Sequence, residues 1–441
     1  MTNTLAKYAA LIRNSLFNLS GQAITVVAAL ICIPITFRQL GTERFGLLML
    51  VWGMLSYAVV FDLGTGPAVA RATASSLARD EGRRIAAILK AGITIQLALG
   101  VGAALLLVAL APFLIELLKV PVPFRADAKL ALYAVALALP IVLITQSQQG
   151  VLEGLERFDL IAYIRTPVAV ATYAIPAIGA VAGWSLARIM FVILGSRLLA
   201  TLAMYALCRV TLPSGQNGSA RRELPGIFRY GRWLAVSGVL TQVLFYFDRF
   251  VLSAMHGVNA VAQYAAPYDA AAKLLVLPGS IGVAMFPGLA KDAARARTSE
   301  AVARSNAAAR MTMIMLLPIC ALLIIFAAPI LHLWLGPQLQ PEGVAAFRIL
   351  ILATALNAAA YPPIFLIEAF GRSDAVARYY LVEVVAYVPV ALYVIWRFGV
   401  IGAAWAWAVR STALMLWAQW YARRGVRPAE GTTIDKYANA N

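Results

Sequence analysis

The sequence predicts an all-α integral membrane protein with two bundles of helices. Of its 441 residues, 62% are hydrophobic and 13% are charged, and the mean hydropathy is +0.79. Soluble domains have about 45 to 50% apolar and about 25% charged residues. Long apolar runs follow one another between short charged stretches, and parts of the first half recur in the second. These observations predict membrane-spanning helices and an internal duplication.

Twelve runs are long enough to cross a bilayer as helices, which takes about 20 mostly apolar residues. They are too long and too uniformly apolar for the strands of a membrane barrel, which alternate over about ten residues. The predicted spans are 16–37, 46–70, 85–110, 128–149, 160–182, 186–208, 228–253, 260–289, 307–332, 344–367, 375–396 and 399–421.

The basic residues are distributed by the side of the membrane. A net charge of +17 and a pI of about 10.1 would suit a nucleic-acid-binding protein, but the basic residues form no single tract. With the N-terminus inside, 25 of the 37 Lys and Arg residues lie on the inner face, 9 on the outer face and 3 within the membrane, the last being Arg197, Lys273 and Arg410. This bias follows the positive-inside rule and predicts that both termini are cytoplasmic. We expect no nucleic-acid partner.

The N-terminal region and the cysteines have simple interpretations. Residues 23–37 resemble a signal peptide, but no A-x-A-like site follows, so we interpret them as an uncleaved first helix. The residues before it predict an interfacial helix along the inner membrane surface. The three cysteines lie inside predicted spans without metal-ligand spacing, which favours apolar filling of the core and predicts no metal site.

Three sequence matches indicate the duplication, because the two members of each match are separated by nearly the same distance along the chain. The matches are Ala111–Leu114 with Ala328–Leu331, Glu153–Asp159 with Glu368–Asp374, and Gly41 with Gly257. We therefore predict two six-helix halves of the same orientation, a type of repeat found in transporters that rock one half against the other. The predicted domains are residues 1–208, a cytoplasmic linker at 209–225, residues 226–424 and a cytoplasmic tail at 425–441.

Four motifs carry a resemblance to a known family. They are N-x-x-x-N at Asn14 to Asn18, PITFRQLGTERFG at Pro34 to Gly46, FDLG at Phe61 to Gly64 with Arg71 following, and EGLERF at 153–158. Together they resemble the Wzx-type polysaccharide flippases of the multidrug/oligosaccharidyl-lipid/polysaccharide (MOP) superfamily. The resemblance covers nearly the whole chain and is most specific from Asn14 to Arg71.

This resemblance implies a V-shaped, MATE-like pair of six-helix bundles in the bacterial cytoplasmic (inner) membrane. It implies that an undecaprenyl-diphosphate-linked oligosaccharide moves from the inner to the outer leaflet for O-antigen or exopolysaccharide biosynthesis, by alternating access. The expected partners are the lipid-linked oligosaccharide, membrane lipid, and polymerase or chain-length proteins of the same pathway. We expect no enzyme activity and no cofactor, with H⁺ or Na⁺ as the coupling ion.

Asp62 stands inside an apolar span, at a depth of about 24 Å by helical rise. An ionised side chain at the bilayer centre costs about 2.5 to 3.5 kcal/mol on insertion scales, so Asp62 should face protein or water. One hypothesis places it in a polar cavity between the halves, where it binds substrate or a coupling ion. The alternative is that its carboxylate braces the helix break at Gly64 to Pro67 through backbone hydrogen bonds.

Other charges within or near the spans complete the candidate site. The predicted substrate-binding residues are Asp62, Arg71, Lys90, Arg249 and Lys273, and the ion-coupling candidates are Asp62, Asp248 and Asp269. Alternatives remain open for most of them. Arg71 and Lys90 could snorkel to headgroups, Asp269 and Lys273 could neutralise each other, and Arg197 and Arg410 could be structural, Arg410 by pairing with Glu383.

Three rival functions remain. An exporter of another lipid-linked precursor, such as a lipid II flippase, would by resemblance have fourteen helices, whereas twelve are predicted here. A multidrug exporter on the same scaffold should have a more acidic and apolar cavity, whereas cations outnumber carboxylates among the candidates here. A polysaccharide polymerase or ligase should carry a large outer loop, whereas the longest outer connections, near 111–127 and 333–343, are short. The two histidines, His256 and His332, form no acid-base constellation.

Overall fold

The computed structural model describes residues 2–79, 81–212, 223, 244, 246–295 and 297–424. Contacts divide the chain into two compact units, Met1–Asn259 and Ala260–Asn441, which we call unit 1 and unit 2. The described residues form helices joined by short turns and contain no β-strand. Most of the predicted linker at 209–225 lies outside the described residues, so the predicted domain boundaries stay a prediction.

Unit 1 contains eight helices in its described residues, and the first holds two stretches that join at Gly41, where φ is 73° and ψ is 171°. Two short 3₁₀ turns, Gly82–Arg84 and Val122–Phe124, precede α4 and α5. The helices are α1 Thr2–Ser56, α2 Ala58–Phe61, α3 Thr65–Ala78, α4 Ile85–Leu117, α5 Arg125–Gly154, α6 Phe158–Val181, α7 Leu186–Thr211 and α8 at 246–256.

Unit 2 contains six helices in its described residues. A 3₁₀ turn, Lys273–Leu275, joins the first two, and the last bends at Gly399, where φ is 56° and ψ is −128°. The helices are α9 Val258–Ala272, α10 Val276–Ala294, α11 Thr298–Ile325, α12 Ala327–Leu335, α13 Pro341–Ala369 and α14 Ser373–Arg423. Helix α9 begins shortly before the division between the units.

The protein is a multi-pass membrane protein. In the part of the chain that the structure describes, nine helices are long and apolar enough to cross a membrane. Two of them, Gly21–Ser56 and Ser373–Arg423, each continue past a glycine with non-helical torsions, at the places where the sequence predicts one span to end and the next to begin. Within the described residues, predicted and observed helices agree closely. Most of the predicted span 228–253 lies outside those residues, and the exact count of twelve stays a prediction.

The backbone torsions support the duplication. Ten described residues have positive φ, and eight of them form pairs with nearly the same separation along the chain as the sequence matches. The pairs are Gly41 with Gly257, Lys119 with Gly336, Glu156 with Gly371, and Gly183 with Gly399. The two without a counterpart are Leu63 and Gly64, directly after Asp62. The turns of the scaffold are therefore repeated, whereas the break at Asp62 belongs to the first half alone.

The repeated inner-face motif also has the same local structure in both units. In unit 1, Arg157 donates two hydrogen bonds of 3.0 Å to the carboxylate of Asp159 in the first turn of α6. In unit 2, Arg372 donates to Asp374 at 3.2 Å in the first turn of α14. An acidic residue in the first turn of a helix is stabilised by the helix dipole. The matched Arg and Asp residues thus start equivalent helices.

Helices α5 and α13, which the duplication makes equivalent, are the most buried spans of their units. Alanines dominate the buried face of α13, for example at Ala353, Ala355 and Ala358. Small side chains let membrane helices approach closely, so that packing and backbone contacts hold the bundle together. These two helices are the central supports on which the neighbouring polar residues are positioned.

Candidate functional site

The second predicted span is interrupted on both sides of α2. Tyr57 separates α1 from α2, and residues 62–64 separate α2 from α3. Leu63 and Gly64 have φ values of 47° and 70°. The left-handed conformation costs a residue other than glycine, here Leu63, about 1 to 2 kcal/mol. Surrounding contacts must therefore hold this break in place.

The carboxylate of Asp62 ties the break together. Only 6% of Asp62 is exposed. Its Oδ1 accepts a hydrogen bond from the backbone N–H of Gly66 at 3.3 Å and another from Nε2 of Gln96 on α4. The Oε1 of Gln96 is buried and has no hydrogen-bond donor among the described residues. This geometry matches the bracing alternative, and a role of Asp62 in transport stays a prediction.

Close packing of α3 against α5 fixes the helix that follows the break. A Cβ atom on Gly154 would lie 2.6 Å from the carbonyl oxygen of Ala70 and 2.6 Å from Cβ of Thr73. A Cβ atom on Gly66 would lie 3.4 Å from the carbonyl oxygen of Gln146. The two helix backbones meet because neither glycine has a side chain. The break is therefore held by a hydrogen bond from α4 and by backbone contact with α5.

Asp248 and Arg249 lie in a second polar cluster, on α8. They are 2% and 3% exposed. The guanidinium of Arg249 lies over the ring of Tyr246, 5.2 Å from its centroid, and the ring of Tyr57 lies 5.9 Å from that of Tyr246. Tyr57 also interacts electrostatically with Asp248 and Arg249. Tyr57, which separates α1 from α2, thus adjoins this cluster, whereas Asp62 lies in the turn between α2 and α3.

The remaining candidate cations of unit 1 are exposed. Arg71 lies on α3 and Lys90 on α4, both toward the predicted inner ends of their helices. Long basic side chains at such positions can extend to the headgroups. The structure therefore agrees with the snorkelling alternative, and their contact with a diphosphate stays a prediction.

In unit 2, Asp269 and Lys273 are half-buried near the junction of α9 and α10. Lys273 begins the 3₁₀ turn that joins these helices. The duplication maps Lys273 onto Tyr57. The second predicted span of each half is therefore interrupted at the equivalent position. The predicted roles of Asp269 and Lys273 in ion coupling and substrate binding stay predictions.

The two half-buried arginines of the sixth and twelfth predicted spans differ in their partners. Arg410 lies with its Nε 3.4 Å from Oε1 of Glu383, and 11% and 4% of the two side chains are exposed. The pairing that the sequence suggested is confirmed. Arg197 instead donates from Nη2 to the hydroxyl of Thr172 at 3.4 Å, and among the described residues it forms no ion pair.

Sequence reasoning missed several residues around these clusters. Gln96 is one of few polar side chains in the apolar run at 85–110, which is a signal that could have identified it. Tyr57 and Tyr246 gave no comparable signal, because aromatic residues are spread through most of the predicted spans. Their importance follows only from the charged and polar groups that packing brings beside them.

Comparisons with known proteins agree with the predicted family and with the observed fold. Residues 11–292, more than half of the chain, match the family described as polysaccharide biosynthesis protein. A Shigella flexneri protein named "Putative O-antigen transporter" is 26% identical over 93% of this chain and 97% of its own length. The inward-facing structure of a multidrug resistance MATE family transporter of the MOP superfamily has a TM-score of 0.75 at 13% identity, covering 95% of this chain and 96% of that one.

The outward-facing structure of such a MATE transporter has a TM-score of 0.68 at 14% identity, covering 94% of this chain and 95% of that one. At these identities the solved structures establish the fold. The relatives are described as transporters, in agreement with the prediction that the chain is not an enzyme. The chain therefore belongs to the polysaccharide biosynthesis protein family and has the fold of the MATE family transporters, as its resemblance to the Wzx-type flippases predicted.

Proposed function

We propose that the protein is a flippase that moves an oligosaccharide linked to undecaprenyl diphosphate from the inner to the outer leaflet of the bacterial cytoplasmic membrane. The observation that carries this proposal is the similarity, over 93% of the chain, to a relative named for O-antigen transport. The description of the matched family supports the same class of substrate. Proteins that polymerise the exported units would be its pathway partners.

The buried charges of unit 1 suit such a substrate. Flipping carries a polar sugar and an anionic diphosphate through about 30 Å of hydrocarbon. An arginine stabilises a phosphate group by two parallel hydrogen bonds, and this interaction is stronger away from bulk water. Arg249 is 3% exposed and lies against an aromatic ring, so it would meet the diphosphate in such an environment.

Asp62 would couple transport to the movement of an ion. Moving one charge through 100 mV is worth about 2.3 kcal/mol, which is enough to bias a conformational change. Asp62 is buried beside the free Oε1 of Gln96. That oxygen would accept a hydrogen bond from a protonated Asp62 or help to coordinate Na⁺. Asp248 and Asp269 are the other proposed coupling carboxylates.

Deletion of the gene in its native strain tests the proposed substrate. We expect lipid-linked oligosaccharide to accumulate in the membrane and surface polysaccharide to fall, because completed units would remain on the inner leaflet. Mass spectrometry of extracted lipids and gel analysis of surface polysaccharide measure the two effects.

Expression of the full chain in the deletion strain should reverse both effects. Absence of accumulated lipid-linked saccharide in that strain would contradict the proposal. Increased drug sensitivity without such accumulation would instead identify an exporter on the same scaffold.

A further inference from the structure

Two buried hydrogen-bond donors in unit 1 have no acceptor among the described residues. They are Nε of Arg197 on α7 and the indole Nε1 of Trp52 on α1. The great majority of buried polar groups are hydrogen-bonded, and a buried donor without an acceptor destabilises the fold. Two such donors in helices that are long and apolar enough to cross a membrane point to an acceptor that the described residues do not supply.

Both donors belong to side chains that contact the same turn of α6. Nη2 of Arg197 donates to the hydroxyl of Thr172 at 3.4 Å. The ring of Trp52 packs edge-on against the ring of Tyr173, with 5.5 Å between centroids. Thr172 and Tyr173 are consecutive residues, so the side chains of Trp52 and Arg197 contact the same turn of α6.

The predicted topology places this turn near the middle of the membrane. Trp52 follows the predicted outer turn at Gly41 by about three helical turns, and Thr172 and Arg197 lie three to four turns from the outer turn at Gly183. At about 1.5 Å per residue, these positions lie at depths of about 16 to 21 Å, in a hydrocarbon core of about 30 Å. At such a depth neither donor reaches the headgroups.

Among the described residues, no carboxylate neutralises the positive charge of Arg197 as Glu383 neutralises that of Arg410. Arg410 has the carboxylate of Glu383 at 3.4 Å. The polar side chains around Arg197 are hydroxyls: Thr172 accepts from its guanidinium, and Thr201 donates to its backbone carbonyl at 2.9 Å. Because a guanidinium stays protonated, its charge in a low-dielectric site requires an anion.

The two longest undescribed segments within the chain carry no carboxylate side chain. Residues 213–222 and 224–243 contain no Asp or Glu. We propose that Arg197 and Trp52 form a binding site for an oxyanion of the transported substrate at the membrane midplane. This inference rests on the proposed flippase function. The oxyanion is the diphosphate of the carrier lipid or the carboxylate of an acidic sugar, both of which accept hydrogen bonds from a guanidinium and an indole.

Binding to the full-length protein in lipid nanodiscs tests the site. The probes are undecaprenyl diphosphate, the neutral lipid undecaprenol, and a soluble oligosaccharide that contains glucuronate. Arg197→Gln should raise the Kd for an anionic probe about tenfold or more, as expected for loss of a charge-assisted hydrogen bond. If Arg197→Gln weakens the binding of undecaprenyl diphosphate, the site binds the diphosphate. If it weakens the binding of the oligosaccharide alone, the site binds an acidic sugar.

A second variant tests the indole. Trp52→Phe keeps an aromatic ring against Tyr173 and removes only the donor. We expect it to weaken binding of the same probe about threefold, as expected for loss of a neutral hydrogen bond, with no change in unfolding temperature. Equal binding by the wild type, Arg197→Gln and Trp52→Phe would overturn the proposal.

Stability without ligand separates a binding role from a structural one. Arg197→Gln should unfold at the same temperature as the wild type or higher, because it removes an uncompensated charge. Arg410→Gln should unfold at a lower temperature, because it leaves Glu383 buried and unpaired. A lower unfolding temperature for Arg197→Gln with unchanged binding would assign it a structural role and overturn the proposal.

The matched control is Arg188→Gln, on the same helix. Arg188 lies at the predicted outer end of α7 with its guanidinium 4.7 Å from the centroid of Trp184, and its removal should leave the Kd of every probe unchanged. Flipping of a diphosphate-linked glycan by wild-type proteoliposomes is measured in parallel. Normal flipping with unaltered binding by Arg197→Gln refutes this site alone, whereas absence of flipping by the wild type refutes the proposed function.

Discussion

Asp62 combines two properties that substitution can separate, its charge and its hydrogen-bonding oxygen. The oxygen accepts from Gly66 N–H and from Gln96, which stabilises the break before α3. The charge lies in a side chain that is 6% exposed. An asparagine keeps the carbonyl oxygen and loses the charge. The residue therefore allows a direct test of whether the carboxylate serves transport as well as structure.

We predict that Asp62→Asn abolishes polysaccharide export while the protein still folds and inserts. The substitution retains the acceptor for Gly66 but removes the group that would bind H⁺ or Na⁺. Export is measured by surface polysaccharide in the deletion strain, and insertion by the amount of protein in the membrane fraction. Glu116→Gln is the control, since Glu116 is an exposed carboxylate at the end of α4. Normal export by Asp62→Asn would restrict Asp62 to its bracing role.

At the scale of elements, the contact between α3 and α5 positions the break. Gly154 contacts Ala70 and Thr73 so closely that no side chain fits without movement. Gly102 on α4 has no atom within 4 Å of the position a Cβ would take. The two glycines thus differ in their neighbours although both lie in membrane helices.

We predict that Gly154→Ala lowers the stability of the protein and that Gly102→Ala does not. The added methyl group would force α3 away from α5, and overpacking of this kind costs about 1 to 3 kcal/mol. Alanine at 102 meets open space and has a better helix propensity than glycine. The measurement is the unfolding temperature of the purified protein in detergent. Equal unfolding temperatures for Gly154→Ala and the wild type would show that α3 and α5 can move apart to admit the methyl group without loss of stability.

At the scale of the whole molecule, two units with repeated turns lie in one chain. The paired positive-φ residues have nearly the same separation along the chain as the matched sequence motifs. Asp62 does not follow the repeat, because it maps onto Pro278 and the break at Leu63 and Gly64 has no described counterpart. The turns between helices are thus duplicated, whereas Asp62 and the helix break that follows it occur in the first half alone.

The predicted topology places the turn before α5 outside and the turn after α3 inside. We predict that a membrane-impermeant maleimide labels Val122→Cys in intact spheroplasts and labels Arg79→Cys only after lysis. Val122 is 74% exposed and Arg79 is exposed at the end of α3. The wild type is the control, since Cys208 and Cys320 are buried and Cys32 lies in the first span. Labelling of Arg79→Cys before lysis would reverse the assigned orientation.

The helices, their order and the duplication could be predicted from the amino-acid sequence, because a run of apolar residues is a local property and a repeat is visible by comparing the chain with itself. The sequence also placed Asp62 at a helix break and suggested the pairing of Arg410 with Glu383. It could not show that Asp62 bonds to Gln96 on another helix, or that Arg197 has hydroxyls for neighbours instead of a carboxylate. Those partners depend on which helix faces meet, and uniformly apolar helices carry little information about the direction in which each face turns.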